Sequence, residues 1–210
     1  MIGINDFLIF ALASLVLNIT PGNDMLYVAT RSTTQGIKAG IVSALGITAG
    51  CLVHLTAAVI GLSAIIANSA IAFGVIKYLG AAYLFYLGIK ALLNKQNIFS
   101  INEKTENKSL SKLFWQGAFT NVLNPKVALF FLAFLPQFIH PENGSPALQI
   151  LLLGLWFNFS GSLVNIAVAI LFGKLGNWLA GKQGIIKWQN KITGLLLIAL
   201  GIKVALSSRK

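Results

Sequence analysis

Six apolar stretches, at about 5–32, 39–66, 71–93, 112–138, 147–173 and 191–207, fill most of this 210-residue chain. About 20 apolar residues in a helix span the roughly 30 Å hydrocarbon core of a bilayer, and a chain patterned this way has too little polar sequence to build a water-solvated domain. Composition agrees: 56% of the residues are hydrophobic and 10% charged, with a mean hydropathy of +0.79, whereas soluble domains average roughly 25% charged. The expected fold is an all-α integral membrane bundle of six helices, forming one domain over 1–210.

Charge and reactive residues narrow the function. Sixteen Lys and Arg against five Asp and Glu would suggest a nucleic-acid binder in a soluble chain. Here most of the basic residues lie between apolar runs or at their ends, so the charge reports topology, and the lipid bilayer rather than nucleic acid is the expected partner. Cys51 is the only cysteine, and the two histidines, His54 and His140, are far apart. No disulfide, dithiol relay, fixed metal site or cofactor is expected. Phosphate-loop and dinucleotide fingerprints are absent, and no nucleophile is paired with a histidine in a hydrolytic pattern, which argues against an enzyme. The leading stretch Phe7–Thr20 follows a segment holding Asp6 and no Lys or Arg, so it reads as a retained membrane segment rather than a signal peptide.

The two halves resemble each other. Gly50-Cys51-Leu52-Val53-His54 aligns with Gly161-Ser162-Leu163-Val164-Asn165, and Lys77-Tyr78-Leu79-Gly80 running to Leu87-Gly88-Ile89-Lys90 aligns with Lys191-Ile192-Thr193-Gly194 running to Leu200-Gly201-Ile202-Lys203. The first stretch of each half carries a proline, Pro21 or Pro125, after polar residues. Repeat one covers about 5–93, a polar linker about 94–112, and repeat two about 112–207. With three spans per repeat the second is inverted in the membrane, an architecture common among secondary transporters. Eleven of the Lys and Arg fall in the loops after spans one, three and five, against four on the other side. The positive-inside rule then places the linker in the cytoplasm and both termini outside.

Pro21-Gly22 and Pro125 should each break a helix, since proline has no N–H and clashes with the preceding turn. Taking Arg31 to snorkel to the cytoplasmic boundary, ten residues at about 1.5 Å each put Pro21 roughly 15 Å inside, near the midplane. Helix starts after the prolines would favour a carboxylate, and carbonyls freed before them an ammonium or cation, so a zwitterion fits. Asn18, Thr20, Asn23 and Asp24 surround one break, and Thr120, Asn121, Asn124 and Lys126 the other. Asp24, Lys126 and His54 are the ionisable residues expected deep in the membrane, where such charges are rare and functional by default. Asp24 and Lys126 are expected to pair or to meet substrate charges, and His54 is a candidate proton carrier or a hydrogen bond across a helix contact. Gly36, Gly40, Gly46 and Gly50 suggest close helix packing.

Thr20-Pro21-Gly22-Asn23-Asp24, then Arg31-Ser32, Gln35-Gly36 and Ala39-Gly40, and Asn121-Val122-Leu123-Asn124-Pro125-Lys126 leading to Leu135-Pro136-Gln137-Phe138, resemble the LysE/RhtB family of amino-acid exporters across nearly the whole chain. One departure is Asn23, where that family commonly has a second proline. The resemblance implies a bacterial inner-membrane exporter of amino acids or derivatives, coupled to protons. The site would comprise Asn18, Thr20, Pro21, Gly22, Asn23, Asn121, Asn124, Pro125 and Lys126 for substrate, with Asp24, Lys126 and His54 for the charge pair or proton. A passive channel, a membrane subunit of a larger complex, or an exporter of another solute or cation stays open, as does assembly into homo-oligomers.

Overall fold

The computed structural model describes residues 3–68, 70–93, 108–180 and 183–206. Most of the expected linker and the basic tail at 207–210 lie outside the described residues. Among these residues the only regular structure is helical. The chain runs through α1 (Ile4–Ile19), α2 (Asn23–Gln35), α3 (Ile37–Ala57), a π-helical turn at Ala58–Leu62, α4 (Ser63–Asn68) and α5 (Ala70–Leu93). It continues with α6 (Leu110–Val122), α7 (Pro125–Leu129), a π turn at Phe130–Phe134, 3-10 turns at Leu135–Phe138 and Pro141–Asn143, then α8 (Pro146–Ala180) and α9 (Gln183–Leu206).

Both expected breaks are present and share a cause. A residue before proline is pushed out of the helical region, and Thr20 (ψ 122°) and Asn124 (ψ 107°) are both extended. The chain bends by 50° between α1 and α2 and by 45° between α6 and the segment begun by α7. Each bent pair is apolar and long enough to cross a membrane as one span. Ile37–Ile65 and Pro146–Gly176 are long and apolar enough alone, giving up to four spans by length and composition. α5 contributes a shorter apolar run, Tyr78–Leu93, and packs along α9.

Two details depart from the sequence reading. α8 runs on to Ala180 and α9 starts at Gln183, so Lys174 and Lys191 sit on helices rather than in a loop. Neither Gly173 nor Gly176 stops α8, because a glycine weakens a helix by only about 1 kcal/mol and packing against α2 and α3 outweighs that. Arg31 does not snorkel: it is 6% exposed, its guanidinium 3.4 Å from the side-chain oxygens of Gln35 and Gln116 and 5.7 Å from the Tyr27 ring. A polar groove between α2 and α6 gives it donors' partners and a π face inside the bundle.

Close helix approach depends on individual glycines. A Cβ on Gly46 would lie 2.1 Å from the Phe114 carbonyl, and one on Gly50 2.4 Å from the Ala118 carbonyl, so α3 meets α6 almost backbone to backbone. Gly40 similarly lets Ser32 and Ala169 in, whereas Gly36 (φ 86°) serves the left-handed turn between α2 and α3. A phenylalanine cluster seals the neighbouring core: Phe130 stacks on Phe157 with centroids 3.9 Å apart, and Phe10 meets Phe138 edge-on at 5.2 Å. Large apolar side chains such as Leu12, Ile60, Leu152 and Phe159 remain on the outside, as a lipid-facing surface requires.

Gly46→Ala should lower the thermal midpoint of the detergent-purified protein, at a cost of about 1–3 kcal/mol for overpacking. Gly74→Ala, where a Cβ meets nothing within 4 Å, should leave it unchanged or raise it. Equal midpoints for the two variants would show that the α3–α6 approach is not tight.

Candidate functional site

The site follows from the two carbonyls to which the prolines give no i+4 N–H; each accepts instead from the N–H three residues on, Leu17 from Thr20 at 3.2 Å and Asn121 from Asn124 at 2.8 Å, and has room for a second donor. In a continuous helix the carbonyl of residue i accepts from the N–H of residue i+4, and Pro21 and Pro125 have none to give to Leu17 and Asn121. A basic side chain reaches each. Lys126 Nζ donates to the Leu17 carbonyl at 3.2 Å and to the Thr20 carbonyl at 3.0 Å. His54 Nε2 lies 3.0 Å from the Asn121 carbonyl, with its ring stacked on Phe131 at 6.2 Å. Because a carbonyl can only accept, this bond puts the imidazole proton on Nε2.

Asp24 lies in the first turn of α2, where the helix dipole favours an anion. Its Oδ2 accepts from Asn121 Nδ2 at 2.8 Å, while Oδ1 is buried with no partner. Asp24 and Lys126 thus reach into the same region, yet the structure shows no ion pair between them: each has its own partner. Asn121 is 2% exposed, and its own side-chain oxygen is also unpartnered. Asn124 caps α7, its Oδ1 accepting from the Lys126 N–H at 3.0 Å, and its buried Nδ2 has no partner. The start of α7 is therefore already capped by the chain itself, unlike the start of α2, where Gly22 supplies no side-chain cap.

Two cavities meet at these breaks. The inner one is small, about 30 Å³, room for about two waters. Asn18, Thr20, Asp24, Asn121 and Lys126 line it among the expected site residues. The larger cavity, about 290 Å³, is lined by Thr20, Pro21, Gly22, Asn23, Asn124, Pro125 and Lys126, with Tyr83, Leu87 and Lys90 from α5 and Leu197 from α9. His54 lines neither.

The inner cavity also holds residues that the sequence reading passed over: Thr48, Cys51, Asn158, Ser162 and, as a lining residue, Asn165. Thr48 Oγ1 and Ser162 Oγ are 2.7 Å apart, and Asn158 Nδ2 donates to the Thr48 carbonyl at 3.4 Å. A signal was available. Asn158, Ser162 and Asn165 fall at i, i+4 and i+7, a polar stripe on one face of the largely apolar α8. Asn18 fixes α1 beside that stripe, donating to Ser160 Oγ at 3.0 Å and the Phe157 carbonyl at 3.2 Å.

Comparison with known proteins decides the family. The model of the LysE type translocators matches residues 15–208. The chain belongs to that family. It is 35% identical over 206 residues to the uncharacterized membrane protein YrhP of Bacillus subtilis, covering 90% of this chain and 93% of that one. It is 30% identical over 196 residues to the homoserine/homoserine lactone efflux protein of Salmonella typhimurium, covering 93% and 94%. No solved structure matches. Membership makes this LysE-type translocator a membrane transport protein rather than an enzyme, with small-molecule efflux proteins among its relatives.

His54→Leu should destabilise the translocator by about 0.5–1.5 kcal/mol by removing the second of two bonds to the Asn121 carbonyl, which keeps the Asn124 N–H at 2.8 Å, and His54→Gln, which keeps a donor, should recover part of that. Thermal midpoints in detergent measure both. No difference between Leu and Gln would mean that the hydrogen bond contributes nothing.

Proposed function

We propose that this translocator is a secondary active exporter of an amino acid or amino-acid derivative across the bacterial inner membrane. Alternating access around the two proline breaks would carry it, driven by protons. One observation supports this most: an acid with a free, buried oxygen and a lysine ammonium line the same polar cavity where the halves meet. Ammonium acceptors and carboxylate donors side by side suit a zwitterion. The name of the Salmonella relative, which moves homoserine and its lactone, agrees with a substrate of this size.

The same reading takes the chain as six spans in two inverted repeats. It is supported by matched packing: α3 lies against α6 as α8 lies against α1 and α2, and α5 lies against α9. On that last contact a Cβ on Gly88 would be 2.8 Å from the Gly194 carbonyl, and one on Gly194 2.7 Å from the Gly88 carbonyl. The linker faces the cytoplasm, following the basic imbalance. Asn18, Thr20 and Asn121 shape the inner site, and Pro21, Gly22, Asn23, Asn124 and Pro125 the larger cavity beside it. Lys126 meets the carboxylate and Asp24 carries the coupling proton. His54 is assigned to holding the second break, outside the proton path.

Uptake of labelled amino acids into inside-out vesicles tests this. A proton gradient should drive accumulation, Asp24→Asn and Lys126→Gln should each abolish it, and His54→Gln should retain it. Equilibration without a gradient would indicate a channel and sink the reading, as would normal export by either charge variant. Separately, cysteines introduced at 94–112 should be protected from impermeant reagents in intact cells; free labelling there inverts the topology.

A further inference from the structure

The inner and larger cavities share two lining residues, Thr20 and Lys126. These are the two partners of the 3.0 Å bond from Lys126 Nζ to the Thr20 carbonyl. The bond therefore lies on the boundary common to both linings. The two spaces also differ in chemistry. Both charged residues lining the larger one, Lys90 and Lys126, are cations, and Asn124 beside them has an unpartnered amide nitrogen. On the inner side the unpartnered atoms are acceptors, Asp24 Oδ1 and Asn121 Oδ1. Buried polar atoms without partners are few in native proteins, and here they sort by sign across one lysine.

We propose that the larger cavity is a separate binding station, selective for the carboxylate end of the substrate, and that Lys126 is the movable partition between it and the inner site. The inference rests on the transport reading and deepens it. At about 30 Å³ the inner cavity is too small for an amino acid in this conformation, whereas about 290 Å³ accommodates one. Lys126 is held by two neutral carbonyls. A carboxylate arriving beside it is the stronger partner, since ion-to-ion hydrogen bonds are roughly twice as strong as neutral ones, so it draws the ammonium off the carbonyls. The wall then opens towards Asp24, whose free oxygen takes the substrate's ammonium. Gly22 permits the closed arrangement: a Cβ there would stand 3.3 Å from Lys126 Nζ.

Cys51 lines the inner cavity and is the chain's only cysteine, so it reports on the wall directly. The full-length protein in lipid nanodiscs is alkylated with N-ethylmaleimide and followed by intact mass. Cys51 should react slowly in the unmodified protein, and propionate should speed it while methylammonium at matched ionic strength does not. Lys126→Met should react about tenfold faster without propionate, the effect of removing a closure of about 1.4 kcal/mol. Lys126→Arg, which keeps a cation on the carbonyls, should stay slow, and Leu87→Trp, filling the larger cavity, should slow Lys126→Met again. If Lys126→Met labels at the unmodified rate, or propionate and methylammonium act alike, the partition is wrong. Should Lys126→Met not fold, the propionate comparison on the unmodified protein still decides. None of these readouts involves transport. Failed amino-acid uptake with an intact propionate response removes the assigned substrate and leaves the partition, and the reverse result removes the partition alone.

Discussion

Two missing N–H groups organise this molecule. Pro21 and Pro125 each leave a carbonyl four residues upstream without its i+4 donor, so that it turns to the N–H three residues on and has room for a second partner. Lys126 reaches the Leu17 carbonyl from the other half of the chain, and His54 reaches the Asn121 carbonyl in the same way. Each break is thus bridged by a basic side chain from a distant part of the chain. Each carbonyl keeps one bond within its own segment, from the N–H three residues on, and the basic side chain supplies the second.

Those cross-links place the functional groups. Lys126 is drawn to the first break and brings α7 beside α1, while Asn121, whose backbone is held by His54, turns its amide to Asp24 on α2. A cavity with an acid on one wall and a base on another results from backbone repair, and the polar stripe of α8 closes it. Close approach of α3 to α6 through Gly46 and Gly50 sets the distance over which His54 can act. Packing, repair and chemistry are therefore one network, and a change in any member moves the others.

The arrangement also suits movement. Lys126 rests on neutral acceptors while a free carboxylate oxygen lies in the same cavity. The halves meet through hydrogen bonds at the breaks and through glycine contacts elsewhere, a joint that can rearrange without unfolding either half. The phenylalanine cluster beside it excludes water and keeps electrostatic interactions strong within the cavity.

By itself the sequence determined the class and much of the plan. Apolar runs of membrane length fix an all-helical membrane protein, because lipid tolerates no other open arrangement of backbone. Proline fixes both breaks, because it lacks a donor whatever surrounds it. Asp24, Asn121 and Lys126 were legible because charge and amide groups deep in apolar segments are costly enough to need a reason. Only the tertiary structure decided their partners. Sequence offered Asp24 and Lys126 either as a pair or as partners of substrate charges, and in the structure each bonds elsewhere, because which donor reaches which acceptor depends on how α6 and α7 lie across α1 and α2. Arg31 read as a boundary residue, and packing against Tyr27 and Gln116 buried it. His54 read as a proton carrier or as a hydrogen bond across a helix contact, and its 3.0 Å approach to the Asn121 carbonyl depends on how α3 packs on α6. The two cavities were not legible either, since the residues that line both, Thr20 and Lys126, are brought together by a contact between positions 106 apart.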